Sequence, residues 1–119
     1  MSYLRQRIRS FACALKGARI LVASQPHARI HAVATVAVAA AGYFYDLARW
    51  EWGMVITAIM AVWIAEGMNT AIENLADAVC PDRHPLIGRA KDIAAAAVLF
   101  AAVGAVLIGL LVFVGHKPA

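Results

Sequence analysis

Residues 61–79 read AVWIAEGMNTAIENLADAV. Within them Glu66, Asn69, Glu73 and Asp77 are spaced by three, four and four residues, which places all four on one face of an α-helix. The preceding run, Trp52 to Ala65, contains no charged residue. The segment therefore begins as a membrane span and ends as an acidic stripe. A carboxylate inside a span is costly unless it faces a bundle interior or a water-filled site. The stripe is thus the candidate working surface, and an all-α membrane bundle is the predicted fold.

The rest of the composition agrees. The chain has 119 residues, enough for one domain. It is 63% hydrophobic and only 15% charged, with a mean hydropathy of +0.72. A water-soluble domain of this length has too little interior to hide that much apolar surface, so an integral membrane protein is the better class. The formal net charge of +4 is concentrated in arginines near the start, which suits anionic lipid headgroups. No aromatic-and-basic groove or zinc motif is present, so nucleic acid is not the expected partner. Cys13 and Cys80 match no metal spacing and read as free thiols in a reducing compartment. Lys16 and Arg19 interrupt the first apolar run, which argues against a cleaved signal peptide.

Working outward from the stripe, residues 2–23 read as an amphipathic helix. Leu4, Ile8, Phe11, Leu15, Ala18 and Val22 recur every three or four residues, with Arg5, Arg9, Lys16 and Arg19 off that line. Such a helix rests in the membrane interface; a cytoplasmic helix packed on the bundle is the alternative. Ser24-Gln25-Pro26 breaks it, and Pro26 suits the first turn of the next helix. Residues 27–46 form the first predicted span, about 20 residues against a hydrocarbon thickness of about 30 Å. DLARWEW (46–52) is a turn with Trp50 and Trp52 at the boundary. Residues 52–79 form the second span, CPDRHPLIG (80–88) a loop, and 89–115 the third span. Arg5, Arg7, Arg9, Lys16, Arg19 and Arg29 precede the first span, and Arg83, Arg89 and Lys91 follow the second. Only Arg49 and Lys117 fall on the other side. The N-terminus and the 80s loop are therefore expected in the cytoplasm. Small residues crowd the first and third spans, as AVATVAVAAAG (32–42) and AAAAVLFAAVGAVLIG (94–109). Such faces favour close helix packing and a homo-oligomer.

Glu66 and Glu73 stand about 10.5 Å apart along the helix axis, too far to share one ion side by side. Glu73, nearer the cytoplasm, suits a divalent cation. Glu66, deeper, suits taking a proton from a hydroxyl held in the bilayer, and Asn69 between them can orient either ligand. GRAKD (88–92) brings Lys91 to a helix start, a phosphate-favouring arrangement. Asp82, Arg83 and His84 in the loop can reach a nucleotide, and Mg²⁺ held by one or two carboxylates plus phosphates is usual for phosphoryl transfer. Blander roles compete: Arg83, Arg89 and Lys91 as boundary anchors, Asp92 as a cap of the third helix, His84 as a plain loop residue, Asp77 as a solvated side chain. There is no Walker A loop and no protein-kinase signature. Residue types alone give a membrane site for charged chemistry. A small proton-coupled exporter or a catalytically silent membrane scaffold satisfies that description as well as an enzyme does.

The stretches EGMNTAIENLADAV (66–79) and HPLIGRAKDIAAAAVL (84–99), with SFACALKGARI (10–20) and ARIH (28–31) before them, resemble the bacterial integral-membrane diacylglycerol kinase and undecaprenol kinase family. HPL and RIH are more similar to the polyprenol branch. The resemblance implies one interfacial helix and three membrane-spanning helices in a homotrimer of the bacterial inner membrane. It implies active sites near the cytoplasmic surface, shared between subunits, where MgATP phosphorylates diacylglycerol or undecaprenol. It places Glu66 on the catalytic base, Asn69 beside the reacting groups and Glu73 on a magnesium and nucleotide position. It places Asp82, Arg83, His84, Lys91 and Asp92 on ATP contacts. Arg29 and Ala95, with Glu66, fall where the lipid is met, and the diacylglycerol branch carries serine at the Ala95 position. One departure stands out. The family's second metal-binding glutamate is Gln25 here, and His27 replaces the asparagine usual two residues later. An amide oxygen ligates a hard cation but brings no charge, so weakened magnesium use is expected.

Overall fold

The computed structural model describes residues 2–116. They form four helices: α1 (Tyr3–Ser24), α2 (Pro26–Phe44), α3 (Arg49–Val79) and α4 (Pro85–Val114). Lys117, used above in the orientation argument, lies outside the described residues.

The breaks between helices follow from local chemistry. Gln25 is extended, at φ −114° and ψ 117°, and Pro26 opens α2, where its missing N–H is no loss. The Arg29 guanidinium reaches back across this junction. Its Nη2 donates to the Ala23 carbonyl at 2.6 Å and its Nε to Val22 at 3.3 Å, satisfying two of the carbonyls orphaned at the end of α1. After α2, the Asp46 N–H donates to Tyr43 O and the Leu47 N–H to Gly42 O, both at 3.2 Å. This is a Schellman turn, and it requires Asp46 in the left-handed region, at φ 52°. Glu51 in the first turn of α3 accepts from the Ala48 N–H at 2.9 Å. The same carboxylate lies 3.1 Å from His116 Nδ1, which ties the start of α3 to the end of α4.

The α4 start corrects the expected boundary. The helix begins at Pro85, not near residue 89, because His84 caps it: its Nδ1 accepts from the Leu86 N–H at 3.1 Å. Asp92 consequently lies two turns inside α4 and caps nothing. Likewise α3 starts at Arg49, slightly before Trp52.

The antiparallel α3–α4 hairpin forms the body of the molecule. Glu51, Val55, Ala58, Val62, Glu66 and Thr70 are buried on α3 and recur every three or four residues, a single stripe facing its neighbours. Val112 and Ala94 are their buried counterparts on α4. α2 lies against α3 through two contacts of aromatic rings: Trp52 on Gly42, and Trp63, whose Nε1 donates to Thr35 Oγ1 at 3.0 Å. α1 has no buried residue; it meets the bundle at its C-terminal end, where Leu21 lies beside Gly67 of α3. Leu4, Ile8, Phe11 and Leu15 stay exposed.

The chain is thin, at 55 × 43 × 21 Å, and its radius of gyration is 17.6 Å, against about 14 Å for a compact globule of this length. α3 and α4 are each long and apolar enough to cross a membrane. Their 31 and 30 residues extend about 45 Å, beyond a hydrocarbon layer of about 30 Å. α2, with 19 residues, is not among the helices long and apolar enough by the same measure; His27, Arg29 and His31 occupy its first two turns.

Candidate active site

The acidic stripe on α3 descends from the bundle interior to its surface. Glu66 is 4% exposed, Asn69 and Glu73 are half-buried, and Asp77 is exposed. The face therefore points into the bundle where it is deepest, not outward toward lipid tails. Each member has a different partner. Glu66 Oε2 lies 3.4 Å from His31 Nε2, supplied by α2. Asn69 Nδ2 donates to Glu73 Oε1 at 3.4 Å. Asp77 Oδ1 is 2.6 Å from Lys91 Nζ on α4, so Asp77 is paired and not merely solvated.

Two cavities lie near the ends of this stripe, one beside Glu66 through its neighbour His31 and the other lined by Asp77. One, of about 350 Å³, runs between α2, α3 and α4 from His31 past Val38 and Ala58 to Phe113. Its walls are almost wholly apolar, and small α4 residues, among them Ala102, Ala105 and Gly109, open it. The other, of about 570 Å³, lies in the 80s loop and is lined by Asp77, Asp82, Arg83, His84 and Lys91 among others. The stripe thus links an apolar slot to a charged, water-facing hollow.

Asn69 Oδ1 and Thr70 Oγ1 are buried without a hydrogen-bond partner among the described residues. An orphaned amide oxygen beside the Glu73 carboxylate is a donor pair of the hard type that Mg²⁺ accepts, since this ion takes one or two protein oxygens and completes its shell with phosphates and water. No group of three His, Cys, Asp or Glu gathers anywhere among the described residues, so a closed, all-protein metal cage is absent from them. Gln25 sits half-buried at the α1–α2 junction, making no capping bond with its side chain.

Other expected site residues stand apart. Asp92 and Ala95 are exposed on α4. Arg29 is engaged with the end of α1. His31, Thr35 and Trp63 were not singled out from the sequence, yet they surround Glu66 or its helix. The available signal was His31 as the last polar ring before the apolar run of the span, a position that is costly unless it serves a purpose.

The chain can now be set beside known proteins. The family described as prokaryotic diacylglycerol kinase matches residues 12–113. Undecaprenol kinase of Bacillus subtilis is 36% identical over 110 residues, covering 92% of this chain and 89% of that one. Diacylglycerol kinase of Escherichia coli is 40% identical over 63 residues, 53% of this chain and 52% of that one. A diacylglycerol kinase of Synechocystis is 38% identical over 101 residues, 84% of this chain and 58% of that one. With nearly the whole helical region matched, and the acidic stripe inside it, the chain belongs to the prokaryotic diacylglycerol kinase family of lipid kinases.

Proposed function

We propose that this protein transfers the γ-phosphate of MgATP to the hydroxyl of a membrane lipid at the cytoplasmic face of a bacterial inner membrane. The observation that carries the reading is the position of Glu66: buried, 3.4 Å from the His31 that lines one end of an apolar slot, and on the same helix as Asp77 at a charged loop hollow. A lipid tail suits the slot, and its hydroxyl then reaches the carboxylate without leaving the bilayer. Glu66 takes the hydroxyl proton, the lipid oxygen bonds to the γ-phosphorus, and the bond from that phosphorus to the bridging oxygen breaks, its electron pair leaving on the β-phosphate of ADP. Glu73 and the amide oxygen of Asn69 receive the magnesium that accompanies ATP. Lys91 neutralises phosphate charge, with Arg83, Asp82, His84 and Asp92 at the nucleotide.

Undecaprenol is the first acceptor to test, because the match to an undecaprenol kinase spans most of both chains; diacylglycerol is the second. α2 completes a three-span arrangement: its 19 residues reach about 28 Å, and its polar first turns belong at the cytoplasmic boundary. The uncovered stripe of α1 suits the membrane interface. The thin protomer, with apolar residues exposed on every helix, suits a homotrimer whose sites are shared between neighbours.

One assay tests the reading. Purified protein, labelled ATP and magnesium are offered diacylglycerol and undecaprenol in separate detergent mixtures. Label in either lipid is the expected result and names the acceptor. ATP binding without label in either lipid would leave a silent scaffold.

A further inference from the structure

We infer that His31 is a positioning residue for Glu66, holding one carboxylate oxygen so that the other faces the acceptor hydroxyl. The inference rests on the reading of Glu66 as the base.

His31 is the side chain within ion-pair distance of Glu66 among the described residues, at 3.4 Å from Nε2 to Oε2. Its own place is set by a closed arrangement of four residues on two helices. On α2 the Thr35 hydroxyl donates to the His31 carbonyl at 2.7 Å. From α3 the Trp63 indole donates to that same hydroxyl oxygen at 3.0 Å. The Trp63 ring meets the His31 ring edge-on, centroids 6.4 Å apart at 65°. Glu66 follows Trp63 by three residues, almost one helical turn. The two helices therefore meet at adjacent turns, once through the Thr35–Trp63 hydrogen bond and once through the 3.4 Å approach of His31 to Glu66.

The chemistry explains the choice of residue. A buried carboxylate in apolar surroundings needs a donor. Lysine or arginine would supply one with a permanent charge that makes the carboxylate a weaker base. Imidazole donates from Nε2 in its neutral form, so it can orient the base without an obligatory cation beside it. His31 also lines the apolar slot, so the Glu66 carboxylate 3.4 Å behind it is next to the space a lipid hydroxyl would enter.

The test compares His31→Leu, which keeps the apolar lining and deletes the donor, with His31→Gln, whose amide nitrogen can replace Nε2. Both are measured in detergent with matched oligomeric state and thermal transition, and Glu66→Gln is assayed beside them. His31→Leu is expected to lower kcat by roughly ten- to a hundredfold, as misplacement of a reacting group does, with KM for ATP within about twofold. His31→Gln is expected within about threefold of the unsubstituted rate, since the amide restores the donor. A full rate in His31→Leu overturns the inference, and so does a His31→Gln enzyme as slow as His31→Leu. If Glu66→Gln is inactive while His31→Leu is unimpaired, positioning fails and the base reading stands. If Glu66→Gln keeps its activity, both fall.

Discussion

Asp77 on α3 and Lys91 on α4 form an ion pair of 2.6 Å at the rim of the loop hollow. It is the counterpart, at the loop end, of the Glu51–His116 contact at the far end of the same hairpin. Lys91 is 36% exposed and Asp77 67% exposed, so solvent screens the pair and it contributes little to stability. The ammonium is held by a partner that a phosphate can readily replace. Lys91→Met is therefore expected to raise KM for ATP roughly tenfold or more, the loss of a charge-assisted contact, while leaving the thermal transition nearly unchanged. An unaltered KM excludes Lys91 from nucleotide binding.

Glu66 is buried with no permanent cation beside it among the described residues, and its position is the least tolerant of a purely structural account. Glu66→Gln is expected to lower turnover by about 10²–10⁴-fold, the usual contribution of a general base. The oligomeric state in detergent should be preserved, because a neutral amide is easier to bury than a carboxylate. Steady-state phosphorylation with size-exclusion analysis of the same preparation checks both parts.

Gln25 stands half-buried at the α1–α2 junction, at the position where the family resemblance implies a metal-binding glutamate. If it faces the magnesium that accompanies ATP, restoring the charge should tighten metal binding. Gln25→Glu is expected to lower the magnesium concentration for half-maximal rate by at least about threefold. A magnesium titration that superimposes on the original would remove Gln25 from the metal site.

Gly42 lies under the Trp52 indole so closely that a Cβ would come to 2.6 Å from Cη2. Helix propensity favours other residues over glycine by up to about 1 kcal/mol, so any net loss reports the clash. Gly42→Val is expected to destabilise by about 1–3 kcal/mol, the range for overpacked sites, seen as a lower thermal transition in detergent. A transition at or above the original would mean that α2 does not depend on this contact.

Much of the fold was legible in residue order. The Ser24-Gln25-Pro26 break, the apolar runs and the two polar turns produced four helices at nearly the expected places. The acidic stripe was legible too, because helical periodicity alone puts Glu66, Asn69, Glu73 and Asp77 on one face. The start of α4 was not. Lys91 and Arg89 looked like boundary residues, whereas His84 and Pro85 cap and open the helix earlier, a bond of three atoms that no hydropathy pattern displays.

What the sequence determined by itself, then, was membership of each helix face and the family to which the chain belongs. Periodicity is a property of one helix at a time. Which face meets which neighbour was decided only by the tertiary structure. The turns at 24–26 and 45–48 and the fit of Trp52 on Gly42 and Trp63 on Thr35 set the rotation of α2 against α3. That rotation, and nothing in the order of residues, brings His31 to Glu66. Such a contact joins residues 35 positions apart, and its distance is fixed by packing across two helices, where a turn of either one would separate the pair.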